Sequence, residues 1–294
     1  MEIQIEVYGD GIRQFVPEGA TLEQIATGFT FTEGPIWCGD YLLFSDIPQN
    51  RIVRWQMRSE GPEVTTFRSP SGNSNGLTLD KSGRLIACEH STRRVTRTEV
   101  DGSVSVLAER YAGQRLNSPN DVVVRSDGSV YFTDPPYGLG DTASWKEISF
   151  NGVYRITPDS ELVLLVDDFD RPNGLAFSPD ETILYVNDTA RRHIRAFDVS
   201  AEGDISNGRV LIEMQSPKEG APDGMKVDQG GNVYCTGPGG IWIMDPDGKQ
   251  LGSIILPELP ANFAWGDPDW QTLYITARTS VYRLRLDTPG IVVP

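Results

Sequence analysis

The chain writes one pattern six times in a fixed register, and few folds can accommodate that. Each copy opens with a polar residue followed by a short apolar strand: Glu33-Gly34-Pro35-Ile36, Asn75-Gly76-Leu77-Thr78, Asn120-Asp121-Val122-Val123, Asn173-Gly174-Leu175-Ala176, Asp223-Gly224-Met225-Lys226 and Asn262-Phe263-Ala264-Trp265. A turn comes next, as in Lys81-Ser82-Gly83 and Ser126-Asp127-Gly128; such residues supply turn geometry. A second strand then ends at Asp46, Glu89, Asp134, Asp188, Gly237 and Ala277 in turn. From opening residue to that end the distance is 13, 14, 14, 15, 14 and 15 positions, a constancy that chance does not produce.

A third strand repeats as well, in Ile52-Val53-Arg54-Trp55, Val153-Tyr154-Arg155-Ile156 and Val281-Tyr282-Arg283-Leu284 among others, and a weaker fourth follows most copies. Short runs of Val, Ile, Tyr and Phe between turn residues read as antiparallel sheet. Repeat starts lie 42, 45, 53, 50 and 39 residues apart, the size of a four-stranded blade. No helical period is sustained, and a sandwich or jelly roll would not repeat such a register six times. The pattern predicts an all-β, six-bladed β-propeller forming a single domain over residues 1–294. The last repeat ends after its third strand, near Leu286, so its fourth strand must come from upstream, from residues 4–8 or 21–25. Closure of this kind removes an unpaired edge.

In a propeller the first strand of each blade lines the central channel. The opening residues Glu33, Asn75, Asn120, Asn173, Asp223 and Asn262 must therefore ring the axis, and all are hard oxygen donors. Any one Asn-Gly could merely begin a strand; six in register, with a Glu among them, read as a ligand ring. Inward amides and carboxylates are costly unless something satisfies them. Oxygen donors suit Ca²⁺ or Mg²⁺, with Mn²⁺ as an alternative, and no Cys or His cluster suggests thiolate or imidazole coordination.

The second strand returns to the same face, which places Asp46, Glu89, Asp134 and Asp188 as an outer arc of acids around the ring. His90 follows Glu89 there, positioned to contact a substrate hydroxyl or shuttle a proton; His193 has no such position. The longest interruption between second and third strands, residues 135–150, falls on this face as a candidate lid. Residues 113–118 and 215–220 border the same mouth. No Ser-His-Asp spacing or Gly-x-Ser-x-Gly elbow appears, which argues against a covalent serine mechanism.

A net charge of −15 repels phosphate backbones and anionic lipid, so nucleic acid and membranes are poor partners. Three scattered cysteines, Cys38, Cys88 and Cys235, form no CxxC pair and point to reduced thiols. With no apolar leader and no run of ~18 apolar residues, the expected location is cytoplasmic.

Phe31-Thr32-Glu33-Gly34-Pro35, Asn117-Ser118-Pro119-Asn120-Asp121, Arg171-Pro172-Asn173-Gly174-Leu175 and Pro222-Asp223-Gly224-Met225 resemble the regucalcin (senescence marker protein)/gluconolactonase family. Cys88-Glu89-His90 and Phe132-Thr133-Asp134-Pro135-Pro136-Tyr137-Gly138 look like its bacterial gluconolactonase branch. The resemblance runs from about Phe31 to Leu286. It implies one catalytic divalent cation, Ca²⁺ foremost, with Mg²⁺, Mn²⁺ or Zn²⁺ as alternatives. It places metal ligands at Glu33, Asn173 and Asp223, makes Asn120 the asparagine that contacts metal, its water or substrate, and moves Asn75 and Asn262 to the rim. One departure stands out: animal members carry a sugar-binding arginine two positions before the Asn120 equivalent, where this chain has Ser118, with Arg115 a substitute on the same loop.

The expectation is therefore a metal-dependent, gluconolactonase-like lactonase acting as a monomer or homodimer on a small-molecule sugar lactone. The cation serves as Lewis acid and Asp223 as general base, while His90 and Asn120 orient the substrate. A phosphotriesterase resembling diisopropyl fluorophosphatase and a non-catalytic calcium-binding propeller are the alternatives.

Overall fold

The computed structural model describes residues 1–8, 11–140 and 145–293. Six antiparallel sheets are arranged as the blades of a propeller, their strands ordered outward from the axis as they occur in the chain except for the outermost strands of blades five and six, which come from its start. Blade one is Thr32–Trp37, Leu42–Asp46, Arg51–Arg58 and Gly61–Arg68. The innermost strands of the other five are Ser74–Leu79, Val122–Val124, Pro172–Phe177, Met225–Val227 and Asn262–Gly266. Each lies against those of the two flanking blades, and the last returns to the first. Among the described residues helix is confined to short 3-10 turns such as Ile12–Gln14 and Tyr137–Leu139, and no helix is long and apolar enough to cross a membrane.

Closure uses the second of the two upstream segments. Leu22–Thr27 pairs with Ser280–Arg285, with Leu22 opposite Leu284 and Gln24 opposite Tyr282. Gln4–Val7 goes elsewhere, adding a fifth strand to blade five along Gln250–Ile255. Both segments cover strand edges that would otherwise offer unpaired N–H and C=O groups.

Six apolar clusters are described, one at each seam between blades. Between blades one and six Trp37 stacks on Tyr274 at 5.0 Å, and between three and four Tyr131 meets Phe177 edge-on at 4.9 Å. Aromatic contacts of this kind contribute ~0.5–1.5 kcal/mol beyond the area they bury. All three cysteines are free.

The glycine after an opening residue has a packing reason. A Cβ on Gly34 would come 2.0 Å from the Asn75 carbonyl oxygen, and one on Gly174 2.3 Å from that of Asp223. In blades one, two, four and five the residue after the opener thus presses against the next blade's opening residue, and there only glycine leaves room. Gly174 N–H donates to that Asp223 carbonyl at 3.1 Å, so the close approach is also a hydrogen bond. The Asn-Gly and Asp-Gly repeats seat the ring residues.

Candidate active site

The ring residues do gather at one end of the channel. Glu33, Asn75, Asn120, Asn173 and Asn262 are buried, and Asp223 is partly so. Glu33 Oε2 accepts from Gly34 N–H at 2.5 Å and from Asn262 Nδ2 at 3.1 Å. Asp223 is anchored through its backbone, its carbonyl accepting from Asn187 Nδ2 at 2.5 Å and from Gly174 N–H. The carboxylate faces the channel beside the Asn173 amide.

Electrostatics show that this end is short of positive charge. Burial, helped by the Asp121 charge, pushes Glu33 up to about 7. Asp223 is raised well above the ordinary carboxylate range by burial, then by Glu33 and Asp121. Like charges that share a dry site resist ionising together. A cation would relieve them both.

Asp121 was not among the residues the sequence singled out for the site. Its Oδ2 lies 3.7 Å from Lys226 Nζ and 3.5 Å from Asn262 Nδ2, and Lys226 Nζ also reaches Asn262 Oδ1 at 3.4 Å. Asn262 thereby joins Glu33 to the Asp121–Lys226 pair. A signal existed: the residue after the opener is Gly in four repeats, and Asp121 is the one charged exception. With all groups ionised, three carboxylates face one ammonium, and the surplus matches one divalent cation.

A relay of amides completes the ring. Asn75 Nδ2 donates to Asn120 Oδ1 at 2.6 Å, Asn120 Nδ2 to Asn173 Oδ1 at 2.6 Å, and Asn173 Nδ2 to Thr189 Oγ1 at 3.1 Å. His90 Nε2 lies 3.2 Å from Asn120 Oδ1. Burial drives the imidazole down to about 4, so it is neutral at pH 7 and acts as a hydrogen-bond donor to the amide. Asn75 and Asn262 hold other ring members in place.

Among the described residues no three His, Cys, Asp or Glu side chains are grouped to hold an ion. Any cation on this axis needs amide oxygens beside Glu33 and Asp223. Such an all-oxygen set fits a hard divalent cation.

The outer arc of acids has a different job. Asp46 accepts from Thr30 and Phe31 N–H, Asp134 from Asn117 N–H, and Asp188 from Asp170 and Arg171 N–H. Each donor lies two or three positions before its blade's opening residue, so these acids staple the loops that deliver the ring. Glu89 is held by Arg68, Arg94, Thr92 and Thr96. Ser118 is likewise engaged, donating to the Pro135 carbonyl and accepting from Gly138 N–H. Arg115 is tied to the Thr92 carbonyl at 2.8 Å. Of the expected lid, residues 135–140 pack at the mouth, with Gly138 against His90; residues 141–144 lie outside the described residues.

The profile of the SMP-30/gluconolactonase/LRE-like region matches residues 31–279, most of the chain. The chain belongs to that family. A gluconolactonase from Zymomonas mobilis is 38% identical over 297 residues, covering 92% of this chain and 82% of the relative. Regucalcin from Bos taurus is 30% identical over 268 residues, covering 88% and 86%. Among solved structures, a gluconolactonase from Xanthomonas campestris superposes with a TM-score of 0.86 at 35% identity, covering 97% of this chain and 95% of its own. The match to this family begins just before Glu33 and runs beyond Asn262, the sixth opening residue, so it contains the whole ring.

Proposed function

We propose that the chain is a metal-dependent sugar-lactone hydrolase of the gluconolactonase type. The observation that carries the reading is the convergence of Glu33, Asp121 and Asp223 with the Asn120–Asn173 amides at one channel end, in a family whose members include gluconolactonases. A divalent cation, Ca²⁺ first, would be held by Glu33, Asn120, Asn173 and Asp223 and would polarise the lactone carbonyl. Asp223 takes a proton from the attacking water and returns it to the ring oxygen as the acyl C–O bond breaks, giving the open hydroxy acid. Its raised proton affinity suits both steps. His90 fixes the Asn120 amide, and Asn120 in turn orients the substrate. A mouth lined by amides, carboxylates, Thr189 and Arg171 suits a polyhydroxy ring better than an apolar organophosphate.

The test is acid release from D-glucono-1,5-lactone in a pH-stat, with and without EDTA. Turnover that EDTA abolishes, that added Ca²⁺ restores and that Asp223→Ala lacks is the expected result. No metal-dependent acid release from any aldonolactone, or wild-type rates for Asp223→Ala, would remove the proposal.

A further inference from the structure

We infer that Tyr137 and Arg171 form the edge of the mouth that recognises the hydroxyls of the substrate, an inference that rests on the lactone reading above. Tyr137 begins the 3-10 turn Tyr137–Leu139, which is pressed onto the site. Gly138 N–H donates to Ser118 Oγ at 2.8 Å, Ser118 Oγ donates to the Pro135 carbonyl at 2.6 Å, and a Cβ on Gly138 would lie 2.6 Å from His90 Cβ. The turn therefore has little freedom to move away from the ring.

The Tyr137 hydroxyl is buried without a well-formed hydrogen bond, its polar contacts being the Thr189 and Asn173 side chains. Its neighbours are Thr189, Asn173 and Asp223. Thr189 Oγ1 already donates to the Pro222 carbonyl and accepts from Asn173 Nδ2, and Asn173 Oδ1 already accepts from Asn120. A phenol whose neighbours are already engaged and offer it no well-formed partner is a cost to the free protein, and a ligand hydroxyl removes it.

Arg171 supplies the second half. Its guanidinium lies 5.7 Å from the Tyr137 ring centroid, while its backbone N–H is held by Asp188 Oδ1 at 3.1 Å. Among the described residues the guanidinium has no ion pair or hydrogen bond, and the residue is exposed. A donor phenol, with Asp223 among its neighbours, and an open guanidinium fork stand side by side. Together they match a ring bearing several hydroxyls, and they leave an unsubstituted lactone with nothing to bind.

Steady-state kinetics of the metal-loaded enzyme test this with D-glucono-1,5-lactone and δ-valerolactone. Tyr137→Phe keeps the ring and its contact with Arg171 and removes only the hydroxyl. The expected result is a rise of about ten-fold in KM for the hydroxylated lactone, kcat within two-fold of wild type, and no change for δ-valerolactone. Arg171→Met should act in the same direction, more weakly. An unchanged KM for the hydroxylated lactone, a fall confined to kcat, or an equal loss on both lactones overturns the inference. A wild type that opens neither lactone removes the lactone reading and this inference with it; a wild type that opens them while Tyr137→Phe changes nothing removes the inference alone.

Discussion

The two ends of the central channel are built from the same inner strands and differ in what they present. At one end stand Glu33, Asp121, Asp223 and the asparagine relay. At the other, a few residues along those strands, a cavity of about 230 Å³ is lined by Ile36, Val123, Phe177, Val227, Ala264 and Trp265, with Ile291 and Val293 from the C-terminal segment. By apolar lining alone the far end looks the better ligand site. The unbalanced charge lies at the near end, and a cation and a polar substrate are what satisfy it; the far end holds an unpaired donor, Trp265 Nε1, in an apolar lining. The far end is the extension of the inter-blade core. The contrast teaches that position along a strand separates chemistry from packing in this fold.

Substitutions at the two ends should therefore fail in different ways. The largest effect is expected from Asp223→Ala, a loss on the order of 10³-fold or more in kcat for lactone hydrolysis, with the melting temperature little changed. Phe177→Ala should do the opposite, destabilising the protein by about 3–5 kcal/mol in a urea titration while kcat per folded molecule stays at the wild-type value. If Phe177→Ala lowered kcat tenfold, the division between the two ends would not hold. His90→Ala should lower kcat/KM about ten-fold by releasing Asn120, and His90→Gln, which keeps a donor, should recover most of it.

The smallest effect is the most specific to the near end. Glu33 holds a proton in the folded, metal-free protein up to about 7, whereas its ordinary value is 4.5. Between those values the folded state binds more protons than the unfolded one. This contribution to stability is complete below pH 4.5 and is lost as the pH rises through about 7. In EDTA the melting temperature should fall across that window. Glu33→Gln should make the fall shallower without abolishing it, because buried Asp134 is also pushed up to about 7 and Asp223 is raised by burial as well. The same variant should be the more stable protein at pH 8 in EDTA and the weaker binder of Ca²⁺. An identical pH slope for the two proteins would mean that Glu33 is not the buried acid described here.

The propeller was legible because a blade is a unit of sequence as well as of structure, so six copies in register could be counted. Which upstream segment closes the ring was not legible. Residues 4–8 and 21–25 both read as strands, and pairing with blade five or blade six depends on three-dimensional reach. The ring itself was readable from the opening positions. The acids that end the second strands occupy an equally regular position, yet they serve the loops; sequence register does not say whether a carboxylate meets solvent, a ligand or a backbone N–H. Asp121 and Lys226 were missed because their roles come from meeting each other across the axis, from blades three and five. Tyr137 was hidden inside a loop that breaks the repeat.

The most direct measurement is anomalous diffraction from crystals of the protein soaked in Mn²⁺. The account predicts one strong peak on the axis, within coordination distance of Glu33, Asn173 and Asp223, at an ion whose removal abolishes lactone hydrolysis. No peak between those residues, with the EDTA-treated protein still opening D-glucono-1,5-lactone at the wild-type rate, would contradict it.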